Sequence, residues 1–388
     1  MKQVRYGIIG LGNMGSSHLK SFKDGKVPGA VLTSVCDIKQ DRLDWAKGVY
    51  GDEITYFIDY KDMFAAGNMD VVLIATPHYL HPVIGMDAFH AGLHVLSEKP
   101  IGVYTKNIVE FMQTAKESGK VFGIMYNQRT NPAYQKMREI VQSGELGELK
   151  RCVWIITDWY RTQAYYNSGG WRATWAGEGG GVLLNQCPHN QDLWQWIFGM
   201  PTKIRAFCSF GKYHDIEVED DVTAYAEYAN GATGVFITTT GECPGTNRLE
   251  ISGSKGKLVY DSGVLTYTKL AVDERTHCFT TTEGFKKVDS TVEEIRFPNG
   301  GEQHVGILKN FTNHLLNGEE LLAPGYDGIN GLSISNAMML STWKNDYVDL
   351  PNDGEEFWSY LQEKIKTSRA KEDAPSVVFD TEGTYGNK

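Results

Sequence analysis

The chain has 388 residues and a formal net charge of −10, and 41% of its residues are hydrophobic and 22% charged. These values are typical of a folded protein of two or three domains, and they exclude a fibrous or wholly disordered chain. The acidic balance, without any run of Lys or Arg, argues against nucleic acids and anionic membranes as partners. The sequence also contains no apolar stretch as long as a membrane-spanning helix.

The first residues and the cysteines predict a cytoplasmic protein. The apolar stretch after Arg5 is short and interrupted by glycines, unlike a secretory signal. The six cysteines contain no Cys-x-x-Cys pair, so their spacing predicts neither a zinc site nor a disulfide framework. We therefore expect reduced thiols and no bound metal.

Strands and helices alternate in the first third of the chain. Strands are predicted at residues 4–9, 30–36, 56–58, 71–75, 94–96 and 121–126. Helices are predicted between them, at about 14–23, 39–49, 79–90 and 105–118. This β-α-β pattern predicts an α/β domain over residues 1–127, with a doubly wound parallel sheet of the Rossmann type.

The pattern then changes to strands separated by turns. Strands within about 149–297, with turns such as Asn230-Gly231 and Ser262-Gly263, predict a large, open and mostly antiparallel sheet. Helices are expected at about 182–198, 303–317 and 328–345. We therefore predict a second α/β domain over residues 128–388, which ends in a loosely held polar tail at about 367–388.

A glycine motif follows the first predicted strand. It contains Gly10, Gly12, Asn13, Met14 and Gly15, fits G-x-G-x-x-G and opens a helix. In a βαβ unit this motif binds the pyrophosphate of a dinucleotide, because glycines let the backbone and the helix N-terminus approach the phosphates. We expect these five residues to contact the cofactor.

The end of the second predicted strand indicates which dinucleotide is bound. Asp37 lies there, and a carboxylate at this place binds the ribose hydroxyls of NAD and repels a 2′-phosphate. No Arg follows, although Lys39 is near. The sequence favours NAD over NADP.

Polar residues follow two later strands of the same predicted sheet. They are Thr76, Pro77 and His81 after one strand, and Glu98 and Lys99 after the next. Ligands of such sheets lie at the carboxyl ends of the strands, so we expect all five to border the cofactor. Lys99 is a candidate to share or accept a hydroxyl proton. His81 could instead cap the following helix.

A histidine in the predicted helix 182–198 is the second catalytic candidate. Asn185, His189 and Asp192 are spaced so that they would share one helix face, and three glycines precede them. His189 would act as a general base that takes a proton from a substrate hydroxyl. A structural histidine is the alternative, and a zinc site is poorly supported because no cysteine pair is near.

An aromatic segment interleaved with arginines lies between these two groups. Flat rings and hydrogen-bonding arms suit a sugar, although about half of the rings are expected in the core or at a subunit interface. The predicted substrate contacts here and after the sixth strand are Trp159, Arg161, Trp171, Arg172, Asn127 and Arg129.

These motifs together resemble the glucose–fructose oxidoreductase/inositol dehydrogenase (Gfo/Idh/MocA) family. The resemblance rests on the segments 10–15, 76–81, 98–100 and 179–192. It implies a sugar, cyclitol or related polyol as substrate, and a homodimer or homotetramer formed through the second sheet. It also implies that Lys99 hydrogen-bonds the reacting hydroxyl and that His189 is the acid/base.

One residue departs from the family pattern. Many members carry Asp four residues before the histidine, where this chain has Asn185. An amide cannot hold a negative charge beside the imidazole, so it orients the ring or binds a substrate hydroxyl. A chain with Asn at this position resembles members of the family that act on pyranosides, in which C3 is commonly oxidised.

Three functions remain open on the sequence. The first is an NAD-dependent dehydrogenase of a secondary hydroxyl. The second is a redox-neutral glycoside-cleaving enzyme that keeps NAD and proceeds by oxidation, elimination, hydration and reduction. The third is a non-catalytic NAD-binding regulator, which the presence of both Lys99 and His189 argues against.

Overall fold

The computed structural model describes residues 3–369 and 371 of the chain. The first sheet has six parallel strands in the order β3-β2-β1-β4-β5-β6. These strands are β1 (Val4–Ile9), β2 (Ala30–Cys36), β3 (Thr55–Phe57), β4 (Val71–Ile74), β5 (His94–Ser97) and β6 (Phe122–Ile124). Strand β4 is apolar throughout and fully buried, because helices cover both faces of a doubly wound sheet. The predicted Rossmann fold is confirmed.

The helices of this half connect parallel strands. They are α1 (Asn13–Lys23), α2 (Gln40–Tyr50), α3 (Tyr60–Ala65), α4 (Leu80–His90) and α5 (Thr105–Ser118). Helix α3 was not predicted; it has six residues and begins at a cap in which Asp59 accepts a hydrogen bond from the Lys61 N–H. The carboxyl ends of the strands meet at one edge, where all predicted cofactor residues follow a strand.

The second sheet has nine strands in the order β14-β13-β12-β11-β7-β10-β9-β8-β15. They are β7 (Leu149–Ile156), β8 (Lys203–Phe210), β9 (Glu219–Glu227), β10 (Thr233–Thr239), β11 (Asn247–Gly253), β12 (Gly256–Asp261), β13 (Val264–Leu270), β14 (Ser290–Arg296) and β15 (Val348–Asp349). Only β7 and β10 pair in parallel among these strands. The predicted large, mostly antiparallel sheet is therefore confirmed.

Seven further helices belong to the second half. They are α6 (Pro132–Gln142), α7 (Gln163–Asn167), α8 (Pro188–Phe198), α9 (Glu274–Thr280), α10 (Gln303–Asn317), α11 (Gly328–Lys344) and α12 (Glu355–Lys366), and Asn127–Thr130 and Gly325–Asp327 form 3₁₀ turns. The prediction of one helix over 182–198 was wrong at its start. Pro188 is the first residue of α8, since proline lacks the N–H that an interior helical position needs.

The last third of the chain returns to the Rossmann sheet. On α10, the Thr312 hydroxyl lies 2.9 Å from the Tyr6 hydroxyl of β1. On α11, the side chain of Asn336 donates to the Val103 carbonyl at 3.0 Å. The division at residue 127 stays a prediction, because helices from beyond it complete the packing of the first half.

Little of the predicted polar tail falls within the described residues. Ser368 donates to Glu217 at 2.6 Å, and Lys371 donates to the carbonyls of Tyr166 and Arg172 at 3.0 and 2.9 Å, so residues 368 and 371 are both bonded to earlier parts of the chain. Residue 370 and residues 372–388 lie outside the described residues. No helix within residues 3–369 is long and apolar enough to cross a bilayer.

Candidate active site

The glycine motif forms an open cradle at the start of α1. A side chain on Gly15 would meet the Gly10 carbonyl oxygen at 1.8 Å, so only glycine lets helix and strand pack this closely. A Cβ on Gly12 would meet nothing within 4 Å in the described part of the chain. Gly12 is the N-cap residue of α1 and gives no side-chain cap, and the first N–H groups of a helix have no partner within the helix itself. These features fit a dinucleotide pyrophosphate.

Asp37 closes the cradle from the end of β2. Its carboxylate accepts hydrogen bonds from the Leu11 N–H at 2.7 Å and the Lys39 N–H at 2.9 Å. These bonds fix the carboxylate beside the glycine turn, where a ribose would lie when the pyrophosphate occupies the cradle.

Thr76 and Pro77 follow β4 at the same edge. The Thr76 hydroxyl is buried and has no hydrogen-bond partner within residues 3–369 and 371, so it is available to a ligand. His81 differs, because its two ring nitrogens lie 2.7 Å from the carbonyl oxygens of Pro100 and Thr76. The backbone thus holds both ring nitrogens, and the His81 ring joins the segments after β4 and β5, while its contact with the cofactor stays a prediction.

Glu98 faces inward rather than toward the cradle. It lies 2.7 Å from His18 of α1, and both side chains are buried. Burial by itself would raise the pKa of Glu98, but the hydrogen bond and charge of His18 hold it at about 2. Glu98 thus joins α1 to the end of β5, and its contact with the cofactor stays a prediction.

Lys99 extends across the cleft to the other half of the chain. Its Nζ donates to the carbonyl oxygen of Asn185 at 2.9 Å. Burial lowers the pKa of Lys99, and the positive charges of Arg161 and Arg172 act in the same direction. A lysine with a lowered pKa can exchange a proton with a hydroxyl, as predicted from the sequence.

The segment before α8 is anchored by a buried carboxylate that the sequence analysis did not identify. Glu219 of β9 accepts hydrogen bonds from the N–H groups of Gly181 and Leu183 at 2.8 and 3.0 Å. A side chain on Gly181 would meet the Glu219 carbonyl oxygen at 2.0 Å, so the triglycine segment passes close to β9. This contact fixes the direction in which the chain enters α8.

His189 lies in the first turn of α8, and its ring centre is 6.4 Å from that of Tyr126. It is 4% exposed, and neither ring nitrogen has a hydrogen-bond partner among the residues that the structure describes. Burial and then the charge of Lys99 hold the pKa of His189 well below its usual value of 6.5. A neutral imidazole with two unused nitrogens can accept a proton from a bound molecule.

Asn185 does not share a helix face with His189, contrary to the prediction, whereas Asp192 follows His189 by three residues on α8. Asn185 precedes α8, and its side-chain amide donates to Glu178. Glu178 is buried, and burial raises its pKa even though Arg172 lies 3.8 Å away. Asn185 is thus paired with a carboxylate that lies seven positions earlier in the chain.

Arg129 and Asp192 form a buried ion pair away from the cleft. Two guanidinium nitrogens of Arg129 donate to the two oxygens of Asp192 at 2.9 and 2.6 Å, and a third donates to Asp327 at 2.7 Å. Both Arg129 and Asp192 are 1% exposed. The predicted substrate contact of Arg129 is therefore wrong, since its donors are committed to these carboxylates.

The aromatic segment forms one wall of the cleft. Arg161 stacks on Trp159 and Tyr165, with its guanidinium carbon 5.5 and 5.2 Å from the ring centres. Arg172 lies over Trp171 at 4.7 Å and donates to the Tyr165 hydroxyl at 2.6 Å. These rings and cations are placed as a sugar-binding wall requires, and their substrate contacts stay predictions.

The structure adds His304 to the candidate site. It comes from the first turn of α10, lies 5.7 Å from the His18 ring, and is near Asn127, whose amide donates to Gln303 at 2.8 Å. Burial lowers the pKa of His304 to about 4. No sequence motif marks it, because more than two hundred residues separate it from Lys99. The Asn127 Oδ1 atom is buried without a partner in the described residues, which keeps its predicted ligand contact open.

Comparison with known proteins places both halves of the chain in one family. Residues 4–126 match an oxidoreductase family with an NAD-binding Rossmann fold, and residues 134–259 match the GFO/IDH/MocA C-terminal domain. Together these matches cover more than half of the chain.

Individual relatives agree with this assignment. Over 333 residues the chain is 25% identical to myo-inositol 2-dehydrogenase of Thermotoga maritima, which covers 84% of this chain and 92% of the relative. Over 211 residues it is 29% identical to the rhizopine catabolism protein MocA of Rhizobium meliloti, covering 54% of this chain and 62% of the relative. The WlbA dehydrogenase of Bordetella pertussis, solved with NADH and UDP-GlcNAcA, has a TM-score of 0.76 at 25% identity, covering 90% of this chain and all of that one.

The cradle at α1, Asp37 and the paired domains agree with the matched family. Within residues 3–369 and 371, no three His, Cys, Asp or Glu side chains are grouped so as to hold a metal ion. The chain belongs to the Gfo/Idh/MocA family of NAD-binding oxidoreductases.

Proposed function

We propose that this protein is a dehydrogenase that oxidises a secondary hydroxyl of a sugar or cyclitol to a ketone, with NAD as the preferred cofactor. The observation that carries the proposal is the buried His189, whose two ring nitrogens lack partners in the described chain beside the cationic Lys99. Lys99 Nζ reaches the Asn185 carbonyl in the segment before α8, and its charge helps to lower the pKa of His189. Two relatives are named for related substrates, myo-inositol and UDP-GlcNAcA.

Oxidation of a secondary hydroxyl to a ketone removes a hydride from the carbon and a proton from the oxygen of the same group. NAD, when bound, supplies the hydride acceptor. Lys99 Nζ, held 2.9 Å from the Asn185 carbonyl, is placed to donate a hydrogen bond to the hydroxyl oxygen and stabilise its developing negative charge. A ring nitrogen of His189 accepts the proton.

The low pKa of His189 suits this role. An imidazole that must lose a proton before it can act as a base becomes inactive below its pKa. Because burial and Lys99 hold the pKa of His189 below 6.5, the base stays neutral at neutral pH. We expect the acid limb of the kcat/KM profile to lie below pH 6.5 and to change in His189→Asn.

One assay tests the function against the redox-neutral alternative. Purified protein is mixed with NAD⁺ and a panel of sugars, cyclitols and a chromogenic aryl glucoside, and NADH formation and phenol release are recorded together. NADH without phenol supports the dehydrogenase. Phenol without net NADH supports glycoside cleavage instead, and absence of both products while NAD binds supports a regulator.

The position oxidised stays a finer proposal. We propose that C3 of a pyranoside substrate is oxidised, because a chain with Asn at position 185 resembles family members that act on pyranosides. Analysis of the ketone product by NMR tests this, and a carbonyl at any other carbon contradicts it.

We also propose that the protein is a homodimer or homotetramer built through the nine-stranded sheet. Helices α8 and α11 pack against one face of this sheet. On the opposite face, Phe207 and Tyr225 are 61% and 37% exposed. Large exposed apolar side chains on an open sheet mark an association surface. Light scattering after size exclusion tests this, and Phe207→Lys should shift the mass toward a monomer.

A further inference from the structure

Arg161 occupies a fixed position in the wall of the candidate site. Its backbone N–H donates to the Thr240 carbonyl at 3.0 Å, and its own carbonyl lies 2.9 Å from His214 Nε2. His214 is in turn held by Asp220, at 3.0 Å from Nδ1. The backbone that carries the guanidinium is therefore rigid before any ligand arrives.

The guanidinium itself is stacked but has no ionic partner. It lies against the rings of Trp159 and Tyr165, and one nitrogen donates to the Tyr160 carbonyl at 2.8 Å. Across the described ranges 3–369 and 371, Arg161 forms no ion pair with a carboxylate. Stacking uses the faces of the guanidinium and leaves its in-plane N–H donors directed along the edge.

Other arginines near the site are already neutralised. Arg129 is paired with Asp192 and Asp327. Arg172 has the buried carboxylate of Glu178 at 3.8 Å. Since both are satisfied within the protein, Arg161 is the arginine of this wall whose charge is left for a ligand.

The surrounding charges favour an anion at this place. Trp159, on which Arg161 stacks, donates its indole N–H to Asn190 at 3.3 Å, which puts Arg161 beside the first turn of α8, where His189 lies. The charge of Arg161 also acts on Lys99, whose pKa it helps to lower. The carboxylates of this region have partners within the protein: Glu98 lies 2.7 Å from His18, Glu178 lies 3.8 Å from Arg172, and Asp220 lies 3.0 Å from His214. Asp158 accepts a hydrogen bond from Asn247 at 3.3 Å.

We propose that the substrate is a sugar or cyclitol derivative with an anionic group, a carboxylate or a phosphate, and that Arg161 binds this group. The inference rests on the proposed dehydrogenase function and narrows its substrate class. The planar fork of a guanidinium matches the two oxygens of either anion, and binding there replaces water around a half-buried cation. The aromatic rings that hold Arg161 would contact the sugar ring itself.

The test compares matched neutral and anionic substrates with the full-length protein and NAD⁺. The series are glucose, glucuronate and glucose 6-phosphate, the corresponding galactose compounds, and myo-inositol with its 1-phosphate. We expect kcat/KM for one anionic member to exceed that of its neutral parent by about tenfold or more. Whether the uronate or the phosphate is preferred identifies the anion.

Variants assign the preference to Arg161. Arg161→Gln should reduce the anionic-to-neutral ratio of kcat/KM by about tenfold, and Arg161→Lys should give an intermediate ratio because the charge stays and the fork is lost. Arg151→Gln, an exposed arginine on β7, is the matched control and should keep the wild-type ratio. Should Arg161→Gln not fold, the ratio of the wild-type protein and its decline with added salt still decide the question.

The outcomes separate the two proposals. Turnover of a neutral member with no advantage for any anionic one overturns the anionic substrate and leaves the dehydrogenase standing. A strong anionic preference that survives in Arg161→Gln overturns the assignment to Arg161. NADH formation from no member of any series, with NAD bound, overturns both the function and this refinement of it.

Discussion

The two histidines that the sequence placed at the candidate site occupy opposite chemical environments. His81, after β4, has both ring nitrogens 2.7 Å from backbone carbonyl oxygens. His189, at the start of α8, is equally buried, yet neither nitrogen has a partner among residues 3–369 and 371. One ring is used by the fold, and the other is left for a ligand.

This difference teaches how to separate structure from function within a site. A buried polar group without a hydrogen bond costs about 1–3 kcal/mol, so such groups are rare unless a bound molecule satisfies them. His81 has the expected arrangement of a structural residue. The cost at His189 is explained when a substrate hydroxyl supplies the missing partner.

The largest expected effect is on turnover, and it divides the two histidines directly. His189→Asn should lower kcat by about 10²–10⁴-fold, because a general base is removed, with little loss of NAD affinity. His81→Leu should instead lower the free energy of unfolding by about 1–3 kcal/mol, since it removes the hydrogen bond that the neutral ring donates to a buried backbone carbonyl. Steady-state kinetics and chemical denaturation of both variants give the comparison. Equal losses of kcat in the two variants, at equal stability, would contradict the assignment of a catalytic role to His189 and a structural role to His81.

The Arg129–Asp192 pair extends the contrast to charged residues. Arg129→Leu leaves Asp192 buried without its partner and should reduce the free energy of unfolding by about 3–5 kcal/mol. The double variant Arg129→Leu/Asp192→Leu should recover much of this loss, because no buried charge remains unpaired. Urea denaturation measures both. If the single variant is as stable as the parent protein, the pair does not support the fold beneath α8.

Replacement of His304 should change the free energy of unfolding by an intermediate amount, and this change should depend on pH. Its pKa is about 4 in the folded protein and about 6.5 when unfolded, so between these values the unfolded chain binds the proton more readily. The stability contributed by neutral His304 is therefore complete above pH 6.5 and is lost as pH falls toward 4.

This dependence is checked by the difference between the protein and His304→Asn. The change in Tm from pH 7 to pH 5 should be smaller in the variant, whereas the other titrating groups act in both proteins alike. An identical pH dependence would mean that His304 is not held neutral by burial.

The smallest expected effect concerns cofactor choice at the opposite end of the cleft. Asp37 accepts two backbone hydrogen bonds, so it has a structural role in addition to its predicted contact with the ribose. Asp37→Ala should weaken NAD binding by about tenfold and narrow the preference over NADP, because the repulsion of a 2′-phosphate is removed. Fluorescence titration with both dinucleotides measures the ratio. An unchanged ratio would show that Asp37 does not select the cofactor.

Local patterns determined the Rossmann half of this protein. A buried parallel strand is apolar throughout, as at Val71–Ile74, and a glycine motif must follow a strand and open a helix. Each of these patterns lies within a few consecutive residues, so the structure it forms does not depend on contacts with distant parts of the chain. The family and the position of Lys99 at a strand end followed from the same short segments.

Tertiary structure alone decided which polar residues serve the site. Arg129 meets Asp192 across 63 residues, Glu98 meets His18 across 80, and Lys99 meets Asn185 across 86. Whether a charged side chain is neutralised or left for a ligand depends on such partners, and sequence spacing does not contain them. The sequence by itself determined the fold and the chemistry available to it. The packing of distant segments decided that His189 and Arg161 are left for a ligand while His81 and Arg129 are committed to the fold, because a buried polar group must find a partner in the protein or in a ligand.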